Sequence, residues 1–153
     1  MSASLKIFFH DHCFDGAAST ALFADFYTKF YRPGATVEYR GMRHSNADPF
    51  AGIAIDGEEN ACLDFRYCAD PRMNWWFDHH TSGFQPPSLR AHFEADSGAT
   101  KFFDPEARSC ALFIRRVLQE KFGYQPVDPE GHWDELLGWA DRIDGAVFES
   151  ARE

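Results

Sequence analysis

A chain of 153 residues with 44% hydrophobic residues is long enough to bury a core, and it reads as one domain over residues 1–153. Its formal charge of −9 argues against a surface that coats nucleic acid. No apolar run reaches membrane-spanning length and the N-terminus has no secretory pattern, so the expected setting is cytoplasmic with no membrane partner.

Residues 5–10, Leu-Lys-Ile-Phe-Phe-His, form a short apolar run suited to a buried strand. Asp15-Gly16 introduces a helix with Ala17, Ala18, Ala21, Leu22, Phe26 and Phe30 on its apolar face, and Pro33-Gly34 stops it. Thr36 to Arg40 alternates as a strand does. Residues 43–60 are polar and Gly-rich, with Ile53-Ala54-Ile55 able to pair briefly in a sheet. Ala61-Cys62-Leu63-Asp64-Phe65 and Asn74-Trp75-Trp76-Phe77 read as two further buried strands, each running into an acid. Pro86-Pro87 marks a loop, and 91–104 reads as strand and turn. Asp104-Pro105-Glu106 has the chemistry of a helix start, and 106–122 continues at helical spacing through Ala111, Leu112, Ile114, Val117 and Leu118. A last helix is predicted over 131–142, carrying Trp133, Leu136, Leu137 and Trp139. Strands alternating with helices predict an α/β fold, a predominantly parallel sheet with helices on both faces. The four cysteines, Cys13, Cys62, Cys68 and Cys110, have no CxxC pairing and read as reduced thiols.

The predicted strand ends carry the chemistry. The first ends at His10, followed by Cys13 and Asp15; two others end at Asp64 and at Asp78-His79-His80. In a parallel sheet such ends lie along one edge, where ligands distant in sequence meet. Two dications about 3.5–4 Å apart need a bridging carboxylate flanked by imidazole and carboxylate ligands. That donor mix suits manganese, iron, cobalt or zinc better than magnesium. Asp141 or Asp144, near the end of the last helix, is placed to close the cluster. Each piece alone has a plainer reading. Asp15-Gly16 reads as a cap and turn, Asp64 as a turn acid, His79-His80 as one core and one surface histidine, and Asp141 and Asp144 as ion-pair partners of Arg142. Their order and their placement at element ends outweigh those readings. His44, His92 and His132 have no ordered acidic context and read as surface or structural residues.

The segments His10-Asp11-His12-Cys13-Phe14-Asp15-Gly16-Ala17-Ala18-Ser19, Leu63-Asp64-Phe65, Asp78-His79-His80 and Gly138-Trp139-Ala140-Asp141 occur in that order. Together they resemble the motifs of the DHH phosphoesterase superfamily, which includes single-strand-specific exonucleases, nanoRNases, cyclic-dinucleotide phosphodiesterases and exopolyphosphatases. The segment Pro105-Glu106-Ala107-Arg108-Ser109-Cys110-Ala111 also resembles the start of a helix that follows the third motif there. The resemblance spans essentially the whole chain and implies the DHH N-terminal domain fold with two Mn2+ ions. Carried over by position, it implies one ion on His10, Cys13 and Asp64 and another on Asp15, Asp64, His79 and Asp141, with Asp64 bridging and Asp144 a rival to Asp141. His80 is implied to face the substrate phosphate, and Asp78 to orient a histidine. The sequence departs from the family at two places. Cys13 stands where the family has an acid, which leaves that ion site weak or empty for manganese unless Asp11 or His12 substitutes. No C-terminal DHH-associated domain is visible, so the chain is expected to be a stand-alone core or a fragment of a longer enzyme.

The implied activity is hydrolysis of a phosphodiester or phosphoanhydride by a metal-activated water. The expected partner is a phosphate-containing small molecule or a short single-stranded nucleic acid. Arg40, Arg43, His44 and Arg66 are candidate phosphate contacts, and Phe14, Tyr67 and Phe84 are candidate surfaces for base stacking. The alternative is a catalytically weak DHH-like core that binds a nucleotide or a protein; a plain α/β domain without metal is the third reading.

Overall fold

Five strands pair in the order β2-β1-β3-β4-β5, with every neighbouring pair parallel. The structure, a computed structural model, describes residues 3–96 and 98–148, so the expected domain of 1–153 extends past them at both ends. The strands are β1 (Ser4–His10), β2 (Thr36–Met42), β3 (Glu59–Leu63), β4 (Trp75–Asp78) and β5 (Lys101–Phe103). The helices are α1 (Phe14–Phe26), α2 (Ser88–Ala95), α3 (Cys110–Phe122) and α4 (His132–Asp144). This is the expected α/β fold with a parallel sheet. No helix among the described residues is long and apolar enough to cross a membrane.

The two-residue repeat of a strand divides the core. Leu5, Ile7, Ala61, Leu63, Trp75 and Phe77 face α1, α3 and α4. Phe8, Cys62 and Trp76 face the other way, beneath α2 and the long loops, where Ile55, Phe65, Tyr67, Met73 and Phe84 close over them. Helices therefore cover both faces unequally. The buried indoles keep partners, Trp75 Nε1 donating to Glu59 at 2.7 Å and Trp76 Nε1 to the Phe65 carbonyl at 2.9 Å. Helix α1 is apolar around most of its girth because it lies between the sheet and α3 and α4. A single π-helical turn, Tyr27–Tyr31, extends it toward Pro33-Gly34.

Four expectations need correction. Residues 91–104 are not strand and turn throughout, since α2 precedes the short β5. Only Leu89 and Phe93 of α2 anchor it on the sheet, and one such pair gives too little periodicity to read. Helix α3 begins at Cys110 and not at 106. Asp104-Pro105-Glu106 forms a turn, its Asp104 side chain accepting from Glu106 N at 3.0 Å, and Ser109 caps the helix instead. The last helix runs to Asp144, beyond the expected 142. Ile53-Ala54-Ile55 forms no strand; Ile55 is buried as a loop anchor.

Candidate metal centre

Strand β1 has β2 on one side and β3 on the other, so the chain changes direction across the sheet between β1 and β3. At such a switch point the connections leave on opposite sides and open a crevice at the carboxyl edge. β1 delivers His10 to that crevice, β3 runs directly into Asp64, and β4 into Asp78, His79 and His80.

The loop after β1 brings α1 in close. A Cβ at position 16 would lie 2.3 Å from the His10 carbonyl oxygen, so only glycine permits this approach. Cys13 occupies the N-cap position of α1 in extended backbone, yet its side chain caps nothing. Asp15 is not the cap of its own helix either. Its Oδ2 accepts from Cys110 N at 2.6 Å and its Oδ1 from Ala111 N at 2.9 Å, so it closes the N-terminus of α3. These bonds tie the first motif to the third helix.

Asp64 has a positive φ of 54°, a left-handed conformation that costs a non-glycine residue about 1 kcal/mol or more. Its side chain is wholly buried, and neither carboxylate oxygen has a hydrogen-bond partner among the described residues. Around it stand His10 Nδ1 at 3.5 Å, His79 Nε2 at 3.5 Å and His80 Nδ1 at 3.8 Å. A buried carboxylate left in this state is costly unless a cation completes it.

The two adjacent histidines are held differently. His79 Nδ1 donates to the Ala107 carbonyl at 2.8 Å, which leaves Nε2 as the free nitrogen. That Nε2 is buried and unpartnered, 3.7 Å from Asp15 Oδ2 and 3.4 Å from Asp144 Oδ2. His80 Nδ1 instead donates to Asp78 Oδ1 at 2.7 Å, which turns its Nε2 away from Asp78. The same Asp78 oxygen accepts from His79 N at 2.9 Å. Gly83 makes room for this carboxylate, since a Cβ there would stand 2.4 Å from Asp78 Oδ2.

The crowding of carboxylates and imidazoles moves their proton affinities. Contact with Asp64, and then with Cys13, lifts His10 to about 10. Burial pulls His79 down, but Asp64, the Ala107 carbonyl and Asp15 outweigh it and leave it at about 9. Burial and the charge of Asp64 raise Asp15 to about 7, against the bonds from Ala111 and Cys110. Asp78 raises His80, while burial raises Asp78 and Asp144. Without metal, protonated imidazoles therefore supply the positive charge that the carboxylates require.

Three sets of donor atoms, each within 4.8 Å of one another, are able to hold a cation: His10, Cys13 and Asp64; Asp64, His79 and His80; and Asp15, His79 and Asp144. Asp64 and His79 are each shared by two sets. Of the expected residues, Asp141 does not join. Its carboxylate is taken by Arg108 and accepts from Ser109 Oγ at 3.4 Å, and Asp144, one turn further, reaches His79 instead. Asp11 and His12 turn toward Arg43, away from the cluster, so Cys13 keeps its place in the first set.

The surroundings were harder to foresee. His44 lies at the rim, its ring 4.6 Å from that of His10 and stacked 4.7 Å from Phe65. Tyr67 and Phe84 are buried among aromatic rings and offer no stacking surface, whereas Phe14 is 43% exposed beside Cys13 and Asp15. Arg66 donates to the Ser45 carbonyl and lines a cleft of about 860 Å³ with Phe50, Ile53, Arg72, Pro87 and Leu89. Phe65 stands between this cleft and the cluster, its ring 6.1 Å from Phe50 and 6.1 Å from His10. No model of a protein family matches the chain, and no characterised protein or solved structure is similar enough to count as a relative.

Proposed function

We propose that this protein is a divalent-metal-dependent phosphoesterase of the DHH type, acting on a phosphodiester or phosphoanhydride of a nucleotide or short oligonucleotide in the cytoplasm. The observation that carries the reading is the buried Asp64 carboxylate, with neither oxygen hydrogen-bonded, facing His10 Nδ1 and His79 Nε2 that likewise make no hydrogen bond, each at 3.5 Å. Donors left open at that density suit cations better than they suit a protein core. The resemblance of the four motifs to DHH phosphoesterases supports the same conclusion.

The residues fit a pair of dications, with manganese the expected ion for the imidazole and carboxylate donors. His10, Cys13 and Asp64 would hold one ion and Asp15, His79 and Asp144 the other, and Asp64, 3.5 Å from His79 Nε2, would serve both, as the resemblance implies. Held there, two ions would lower the pKa of a water toward neutrality and offset charge on phosphoryl oxygens. Asp78 orients the His80 ring and favours its cationic form, so Nε2 can donate to a phosphoryl oxygen or to the leaving group. Ala107 fixes the His79 ring through Nδ1, which keeps Nε2 aimed at the carboxylates. The cleft behind Phe65, with its apolar walls, Arg66 and the paired Arg72 and Asp70, suits the organic part of the substrate rather than a phosphate.

The test is hydrolysis of bis-p-nitrophenyl phosphate and of short oligonucleotides with added Mn2+, comparing wild type with Asp64→Ala and His79→Ala. Turnover should need metal and disappear in both variants. Turnover indifferent to chelator, or surviving both substitutions, would refute the reading. Cys13 favours a second reading, a module that binds a nucleotide without cleaving it; one ion or none per folded chain, with nucleotide bound and intact, would establish that instead.

A further inference from the structure

We infer that the ion held by His10, Cys13 and Asp64 is a thiophilic one of the zinc class, so that the centre pairs a sulfur-ligated ion with an oxygen- and nitrogen-ligated one. The inference rests on the two-cation reading above and assigns different chemistry to its halves. It begins with the donor sets. His10, Cys13 and Asp64 bring together nitrogen, sulfur and oxygen within 4.8 Å, whereas the sets built on His79 contain only nitrogen and oxygen. Thiolate selects zinc and other soft or borderline ions and is a poor ligand for manganese, while carboxylate and imidazole accept manganese readily. Three protein ligands, one each from Cys, His and Asp, also match the usual number at a catalytic zinc, which keeps a further position open.

Independent features of the same place point to a ligand. Asp64 is fully buried with no hydrogen bond to either oxygen, and His10 Nδ1, 3.5 Å away, makes none either. The cysteine has no competing structural task. At the N-cap of α1, where Ser, Thr, Asp or Asn would accept a backbone N–H, Cys13 makes no capping bond. The other cysteines, Cys62, Cys68 and Cys110, are buried and belong to the packed cores. Asp11 and His12, the neighbouring residues able to replace the sulfur with harder donors, are engaged with Arg43. When the ion binds, the sulfur forms a bond to it as thiolate, and any proton it carried passes to solvent.

Metal-free protein is titrated with Co2+, which reports a thiolate ligand by a sulfur-to-metal charge-transfer band in the near ultraviolet, separate from the weaker visible bands of nitrogen and oxygen sites. One ion per chain should produce the charge-transfer band, and a further ion should bind without adding to it. Zn2+ should abolish the band where excess Mn2+ does not. Cys13→Asp should still bind two ions but lack the band, and its preference for zinc over manganese at that site should fall by about 10–100-fold, at least the scale of losing a ligand's outer partner. Aspartate suits an N-cap, so this variant keeps the helix start, and Cys13→Ser supplies a second test of the band in a side chain of similar shape. Two ions bound with no sulfur band, or a band that survives in Cys13→Asp, would overturn the inference while leaving the two-cation centre intact. Failure of wild type to bind any ion would overturn both.

Discussion

Metal binding at neutral pH should expel protons, because the sites are filled with them when metal is absent. His10, held at about 10, and His79, held at about 9, are both cationic at pH 7. Asp15, at about 7, is half protonated there. Ions that take His10 and His79 as ligands need both imidazoles neutral and Asp15 ionised. Two ions should therefore release about 2.5 protons per chain at pH 7, before any from the Cys13 thiol are counted. The two-ion binding constant should rise by at least about a hundredfold per pH unit near neutrality, each proton displaced being worth about 1.4 kcal/mol per unit. Calorimetric titration of metal-free protein in buffers of different ionisation enthalpy measures the number directly. Release of less than about one proton would mean that the histidines are already neutral or are not ligands. That outcome would remove the electrostatic account of the cluster even if metal still bound.

The same shifts set the stability of the metal-free protein. Raised His10 and His79 contribute fully below about 6.5 and lose that contribution as pH climbs through about 9 and 10, while ionising Asp15 penalises the fold increasingly up to about 7. Metal-free Tm should thus fall from mildly acidic to alkaline pH, and the gain in Tm on adding Mn2+ should grow over the same range; a metal-free Tm that rose would contradict the assignments. Asp144→Ala should lose one ion per chain by metal analysis with little change in the urea stability of the metal-free protein, whereas Asp141→Ala should keep both ions and lose about 1 kcal/mol, because the buried Ser109 Oγ is left without its acceptor while the exposed Arg108 returns to water. Gly83→Ala should cost about 1–3 kcal/mol by overpacking against Asp78 and slow turnover through His80, with both ions still bound. Phe14→Ala should weaken binding of a short single strand by about 1 kcal/mol or more in fluorescence anisotropy if a base stacks there, and unchanged affinity would exclude that face.

Much of this centre was legible because chemistry and periodicity coincide at the strand ends. His10, Asp64 and Asp78-His79-His80 each follow a short apolar run, and runs of that kind become parallel strands whose ends share an edge. The α/β class followed from the same runs alternating with helices. Asp144 was harder to choose because Asp141 and Asp144 lie within one turn of each other, and the difference comes from Arg108, which packs from the loop before α3. Asp104-Pro105-Glu106 mimics a helix start because it has a capping acid, Pro at the first helical position and an acid in the first turn. What moves the start to Cys110 is a tertiary partner, Asp15, about 95 residues away in sequence, accepting the first amides of the helix. Helix α2 leaves little periodicity to read because only two of its side chains, Leu89 and Phe93, pack against the core, and both only half-buried.

The sharpest conflict between local rules and the folded state is at Asp64. A strand end that served packing alone would finish in a residue comfortable with its backbone and able to find a hydrogen bond. Asp64 does neither, with a left-handed φ and two buried, unpartnered oxygens. The acids around it are tied into the fold by hydrogen bonds: Asp15 caps a helix with both oxygens, and Asp78 accepts through Oδ1 from two backbone amides and a ring nitrogen, although its Oδ2 is buried without one. Among the described residues Asp64 is the one carboxylate with both oxygens buried and without a hydrogen bond, and it is shared by two donor sets. Local strain of this kind persists where the rest of the fold over-determines it, and it gathers where a ligand completes the residue. Replacing Asp64 with Asn would remove the charge but keep the shape. Metal-free Asp64→Asn should then bring His10 and His79 down toward 6.5 in an NMR titration, since Asp64 is the partner that raises both. If His10 stayed near 10 in that variant, the charge that holds its proton would lie elsewhere, and Asp64 would lose its claim to the centre of the site.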